Sequence, residues 1–170
     1  DKIISDLIKI ISKNEDISYI ELQSCGKLSH ELLLILSNMK SVKCYIFKGM
    51  KLLMPNILLQ NQGFISFNNV KKLNCLRFNN CEIEACVLKY FPSNINYLEL
   101  SNCEIIYDDV MRNGFNIYDK DLKCIKRFAD LKGLIISEMN IKNQSLNTIS
   151  DIRSIVELNL AGCKGFTAKG

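Results

Sequence analysis

The segment Ile95–Cys103 reads INYLELSNC. It places apolar side chains at Ile95, Leu98 and Leu100 and ends on Cys103. The same frame recurs at Ile17, Ile20, Leu22 and Cys25 (ISYIELQSC), at Leu73, Leu76, Phe78 and Cys81 (LNCLRFNNC), and at Ile155, Leu158, Leu160 and Cys163 (IVELNLAGC). Two looser copies fall at Val42, Tyr45, Phe47 and Met50 and at Leu131, Leu134, Ile136 and Met139. The shared pattern is L-x-x-L-x-L-x-x-C. Its x-L-x-L-x centre has the period of two that marks a short strand with one face turned inward. A lone strand of this kind cannot bury its apolar face. Stacked copies can, by forming a parallel sheet over a shared core.

The last position of the frame has its own logic. After the strand the chain turns away and leaves backbone polar groups facing the interior, where they need partners. A Cys thiol is small, tolerates apolar surroundings and is a weak donor. Met50 and Met139 can fill the same space without donating, so their turns are expected to be less regular. Cys25 to Met50, Cys81 to Cys103 and Met139 to Cys163 span 25, 22 and 24 residues, whereas Met50 to Cys81 and Cys103 to Met139 span 31 and 36. The two long intervals place insertions near 51–69 and 107–120. The first holds Pro55 and Gly63, and its Asn56–Gln60 stretch is a further strand candidate. The second holds the turn signal Asn113-Gly114.

This pattern resembles the leucine-rich repeat family, in the variety that carries Cys where others have Asn. The resemblance runs from about Ile17 to Phe166. It implies an α/β solenoid of about six parallel strands on a concave face, with short helices and irregular returns outside. Helices are expected at His30–Ser37, with Ser29 as N-cap, at Glu84–Tyr90 before Pro92, at Asp121–Ala129 and at Ser145–Ser150. Residues 1–16 form an amphipathic helix with Ile4, Leu7, Ile8 and Ile11 on one face, either a cap or the end of an upstream repeat, and 17–170 form the repeat domain. The chain starts at Asp1 and reaches Gly170 without a return helix after Cys163. The expectation is a longer protein or a covered end, since a solenoid needs capped ends for solubility.

Bulk composition bounds the function. Apolar residues make up 48% of the 170 and charged residues 24%, enough for a continuous core and against global disorder. The formal net charge of +4 is small, and only Arg77, Arg112, Arg127 and Arg153 can fork onto phosphate. The basic groups Lys123, Lys126, Arg127 and Lys132, and Lys71, Lys72 and Arg77, read first as solvated surface. No apolar run is long enough for a membrane helix, and no signal peptide is visible. Eight Cys fall mostly inside apolar patterns, without C-x-x-C spacing and with His30 as the sole His. That favours reduced thiols in an intracellular, cytoplasmic setting over disulfides or zinc.

No set of residues points to catalysis. His30 lies in a different repeat from most of the Cys, and the pairs Asp108-Asp109 and Glu82 with Glu84 suit helix N-termini. No phosphate loop, cofactor or small-molecule substrate is implied. What remains is the strand face. The outward residues form three columns: Tyr19, Cys44, Cys75, Tyr97, Gly133 and Glu157; Glu21, Ile46, Arg77, Glu99, Ile135 and Asn159; and Gln23, Lys48, Asn79, Ser101, Ser137 and Ala161. Members of the resembled family commonly bind proteins there. The implied function is a non-catalytic protein-protein interaction scaffold within a larger assembly, with Tyr19, Glu21, Arg77, Asn79, Tyr97, Glu99 and Ser101 as partner-binding residues. The alternative is a ribonucleoprotein component touching RNA through its Lys-rich edges.

Overall fold

The computed structural model describes residues 6, 10–11, 13, 16–28, 30–52, 66–84, 87–108, 111–112, 116–117 and 119–167. The expected N-terminal helix lies largely outside the described residues, as do the strand candidate Asn56–Gln60 and the Asn113-Gly114 turn.

The period-two segments become strands β1 (Tyr19–Lys27), β2 (Cys44–Leu52), β3 (Cys75–Asn79), β5 (Tyr97–Ser101), β9 (Gly133–Ser137) and β11 (Glu157–Asn159). They lie side by side in chain order, each parallel to the next, and the sheet is curled. The register is that of the columns. Cys75 pairs with Cys44 and Tyr97, Arg77 with Ile46 and Glu99, and Asn79 with Lys48 and Ser101. Alternation sends Leu76, Phe78, Leu98, Leu100, Leu134 and Ile136 into the core, where all are buried.

A second, shorter ladder follows the turns. It contains the ends of β1 and β2, then β4 (Glu82–Glu84), β6 (Glu104–Asp108) and the antiparallel β7 (Met111–Arg112). Further along, β8 (Asn116–Ile117) pairs with β10 (Asn140–Ile141). The residue two beyond four of the six markers points inward: Leu52, Ile83, Ile105 and Ile141 are all buried. This corrects the helix expected at Glu84–Tyr90. Glu82-Ile83-Glu84 alternates and is strand, and among the described residues of that stretch Val87–Tyr90 winds as a 3-10 turn. The other returns are α1 (His30–Leu36), α2 (Asp119–Ile125) and α3 (Asn143–Ser150). Against expectation, α2 starts and ends earlier, and α3 is a full eight-residue helix.

The turns between the two ladders share one backbone device. The residue before each marker has a positive φ: Ser24 53°, Gly49 59°, Asn80 54°, Asn102 49°, Glu138 55° and Gly162 69°. Met50 and Met139 therefore end turns of the same form as the Cys turns, which corrects the expected irregularity. The backbone holds the Met139 turn as it holds two Cys turns: Glu138 N–H donates to Ala161 O at 2.9 Å, as Asn102 N–H does to Ser137 O and Asn80 N–H to Ser101 O. The thiols add a second tie. Cys81 Sγ donates to Phe47 O at 3.3 Å, Cys103 Sγ to Phe78 O at 3.2 Å and Cys163 Sγ to Ile136 O at 3.0 Å. Each acceptor is the last inward residue of the preceding strand. Cys25 donates to Gln23 O within its own turn instead.

The centre of the core is aromatic. Phe47 stacks on Phe78 at 5.4 Å and Phe67 on Phe91 at 4.5 Å, with Tyr45 and Phe91 making edge contacts that join the two stacks. The Tyr45 hydroxyl donates to Leu36 O at 2.7 Å, which satisfies it at full burial. Burial weakens toward the outer strands. Leu158, expected inward, is 48% exposed, and Ile20 and Leu160 are only half-buried. Among the described residues nothing stacks beyond β11, so alternation points Leu158 inward without a neighbour to cover it. The same holds for the thiols. Cys81 and Cys103 are buried, whereas Cys25 and Cys163, expected buried, are half-buried. All seven described Cys are free.

Leu100→Ala is expected to lower stability by about 2–5 kcal/mol, because it opens a cavity between two stacked units. Cys103→Ala should cost less, since it removes a small volume and one weak hydrogen bond. Urea melts compare them, and equal losses would falsify the role given to the thiol. Glu138→Gly should raise stability by about 0.5–1 kcal/mol, the left-handed strain relieved less the added freedom of the unfolded chain. An unchanged or lowered urea midpoint would count against that strain.

Candidate functional site

The open face of the sheet carries the seven residues singled out in the sequence. Strand pairing gathers them into two groups. The outer one joins Tyr19, Glu21 and Lys48 across β1 and β2. Tyr19 OH donates to Glu21 Oε2 at 3.2 Å, and Lys48 Nζ lies 2.7 Å from Glu21 Oε1. The hydrogen bond from Lys48 draws the Glu21 carboxyl below its ordinary value, while desolvation, and then the hydrogen bond to Glu21, lifts the Tyr19 phenol. This pair is open to water, where screening keeps such contacts weak.

The central group spans β3, β5 and β9 and is more densely bonded. Glu99, with its side chain only 16% exposed, is its hub. Arg77 Nε lies 3.6 Å from Glu99 Oε2, close enough for an ion pair but longer than a hydrogen bond. Ser101 Oγ donates to Glu99 Oε1 at 3.1 Å and receives a hydrogen bond from Ser137 Oγ at 2.8 Å. With its amide turned to match its surroundings, Asn79 donates to Glu99 Oε1 at 2.8 Å and to Phe78 O at 3.1 Å. One carboxylate thus fixes three neighbours. The Arg77 guanidinium sits 5.0 Å from the centre of the Tyr97 ring, in cation–π range.

Gly133 sets the position of that ring. It is the β9 partner of Tyr97, and a Cβ placed on it would lie 2.5 Å from Tyr97 Cδ2. The missing side chain leaves a seat for the phenol, with Arg77 on its other side. Sequence columns supplied Gly133 but not this role; a Gly directly beside a Tyr on the neighbouring strand was the available signal.

Three residues on this face behave differently from the rest. Ile46, in the middle column between Glu21 and Arg77, is only 3% exposed, which corrects its placement among solvent-facing residues. It divides the outer group from the central one. Cys44 and Cys75 are direct partners on β2 and β3, with their sulfurs 2.9 Å apart.

The basic groups do not converge. Lys126 is paired with Asp151 at 2.8 Å, and Arg127 donates to Leu88 O at 3.1 Å beside the Phe128 ring. Lys71, Lys72, Lys123 and Lys132 are exposed, and Arg77 belongs to the open face. Among the described residues no three His, Cys, Asp or Glu side chains are grouped to hold a metal ion, and no helix is long and apolar enough to cross a membrane. No protein-family model matches the chain, and comparison with curated proteins finds no significant relative.

Gly133→Ala should cost about 1–3 kcal/mol by overpacking. It should also push the Tyr97 ring off Arg77, read by NMR as loss of the ring-current shift on the Arg77 side-chain protons. Unchanged Arg77 shifts in a folded variant would show that the seat does not position the ring.

Proposed function

We propose that this chain is a non-catalytic protein-protein interaction scaffold of the leucine-rich repeat kind, working inside the cell as part of a larger assembly. A protein partner docks on the concave, open face across β3, β5 and β9. The observation that carries the reading is the Arg77–Tyr97–Glu99 group on a rigid parallel sheet. Arg and Tyr are the residue types that most often dominate interface energetics. Here both are held before any partner arrives, by Glu99 and by the seat at Gly133, so little ordering entropy is lost on docking. The repeat reading is supported by the six strands in one register, by the left-handed residue recurring at each marker and by the thiols bridging to the preceding strand. Free thiols among all described Cys support the cytoplasmic assignment.

Contact with RNA phosphate has less support, because Lys126 and Arg127 already serve internal partners. The insertions near 51–69 and 107–120 are the competing protein-binding surfaces, since segments inserted between such strands often carry function.

The test is affinity purification from native lysate at about 50 and about 200 mM salt, a range over which phosphate-mediated binding falls steeply. The partner recovered at both salts is then titrated against Tyr97→Ala plus Arg77→Ala and against a variant with Tyr107–Lys120 shortened. The concave double substitution should weaken binding tenfold or more, about 1.4 kcal/mol. Normal binding by that variant, with loss in the shortened one, moves the site to the insertion. Recovery of RNA that disappears at the higher salt replaces the scaffold reading with the ribonucleoprotein one.

A further inference from the structure

We propose that Cys44 and Cys75 form a vicinal dithiol on the open face that is converted reversibly to a cross-strand disulfide by a low-molecular-weight disulfide such as oxidised glutathione, with Cys75 as the attacking sulfur. The two residues are register partners on adjacent parallel strands, and Cys44 Sγ donates to Cys75 Sγ across 2.9 Å. Strands in such a sheet lie about 4.8 Å apart, inside the window of about 4.4–6.8 Å between Cα atoms that a disulfide spans. No other two Cys are direct strand partners among the described residues. Both are half-buried at the surface; Cys81 and Cys103 also adjoin one another, but they are enclosed in the core and donate to main-chain carbonyls.

The surroundings distinguish the two sulfurs. Arg77 lies two residues along β3 and so shares the face of Cys75. Cys44 faces it from β2, and Tyr97 and Glu99 face it from β5; Tyr19 of β1 faces Cys44. Donation from Cys44 and the nearby Arg77 guanidinium bring the Cys75 thiol down to about 7, against burial and the Glu99 charge. Cys44 is pushed up, first because its proton is shared with the Cys75 sulfur and then by burial. A thiol ionising near neutral pH is the reactive one.

The exchange balances without another reagent. The Cys75 thiolate attacks one sulfur of oxidised glutathione, forms a mixed disulfide and releases one glutathione thiolate. With the Cys75 charge gone, Cys44 can lose its proton to solvent. Its thiolate attacks the Cys75 sulfur, forms the Cys44–Cys75 bond and releases the second glutathione. The protein gives up two electrons and two protons, and two molecules of glutathione thiol are the product. Excess glutathione thiol runs the sequence backward.

The experiment incubates the native chain with oxidised glutathione at pH 7, quenches in acid, alkylates and maps peptides by mass spectrometry. The expected product is a Cys44–Cys75 linked peptide, reversed by reduced glutathione, with Cys81 and Cys103 alkylated only after unfolding. Cys44→Ser should stop at a stable glutathione adduct on Cys75. Cys75→Ser should leave Cys44 at least tenfold slower to react. Arg77→Gln should move the pH midpoint of Cys75 alkylation upward. A wild-type chain that ends as a stable adduct on Cys75 without the linked peptide overturns the proposal. So does reaction at Cys25 as fast as at Cys75. The wild-type measurement decides the matter even if a variant fails to fold.

Discussion

One constraint governs this structure: each strand must hand the chain into the interior within a single residue, and only a left-handed backbone does so. Asn80, Asn102, Gly49 and Gly162 adopt that conformation at little cost, while Ser24 and Glu138 are held in it by their surroundings. Because the chain turns at the same point in every unit, the strands finish in step. Strands that finish in step keep their side chains in columns, and the columns decide which residues meet on the open face. The thiol bonds from Cys81, Cys103 and Cys163 to the preceding strand then lock each turn to its neighbour. The Met50 and Met139 turns keep the form without a thiol, so the backbone conformation comes first and the thiol reinforces it.

Much of this was legible in the sequence because it rests on a period of two. The frame around Leu98 and Leu100 marks inward residues wherever a neighbour lies on both sides, and strand register follows from aligning the frames. The reading lost accuracy where burial depends on what lies next door. Leu158 has the inward phase and is exposed, while Ile46 has the outward phase and is buried. The second ladder was missed because its strands are two to five residues long and read as charged, as in Glu82-Ile83-Glu84. Its signal was nonetheless present in the apolar residue two places after four of the six markers, at Leu52, Ile83, Ile105 and Ile141.

The candidate site was legible as identities and adjacencies more than as chemistry. Pairing frames puts Arg77 beside Glu99 and both beside Tyr97. It does not reveal that Glu99 gathers Asn79, Arg77 and Ser101, because those contacts depend on side-chain torsions. Nor does it separate the outer group at Tyr19 and Glu21 from the central one. Cys44 and Cys75 stood next to each other in the first column, yet a count of Cys read against the usual buried thiol hides that pairing. Column neighbours are more informative than composition in a sheet of this regularity.

The way the strands are joined also shapes how the molecule comes apart. In the main ladder each strand is bonded only to the strands on either side, and the turns tie only adjacent units. In a row of strands joined this way, the stabilising terms act chiefly between neighbours. Nothing in that arrangement forces all units to open together. Among the described residues β11 pairs with one neighbour, β9, and has no buried residue of its own. The rings of Tyr45, Phe47, Phe67, Phe78 and Phe91 clamp the units of β2 and β3 to the return beyond them, so the slowest amide exchange belongs there. The central Arg77–Tyr97–Glu99 group stands on β3 and β5, and β3 also carries Phe78 of that clamp.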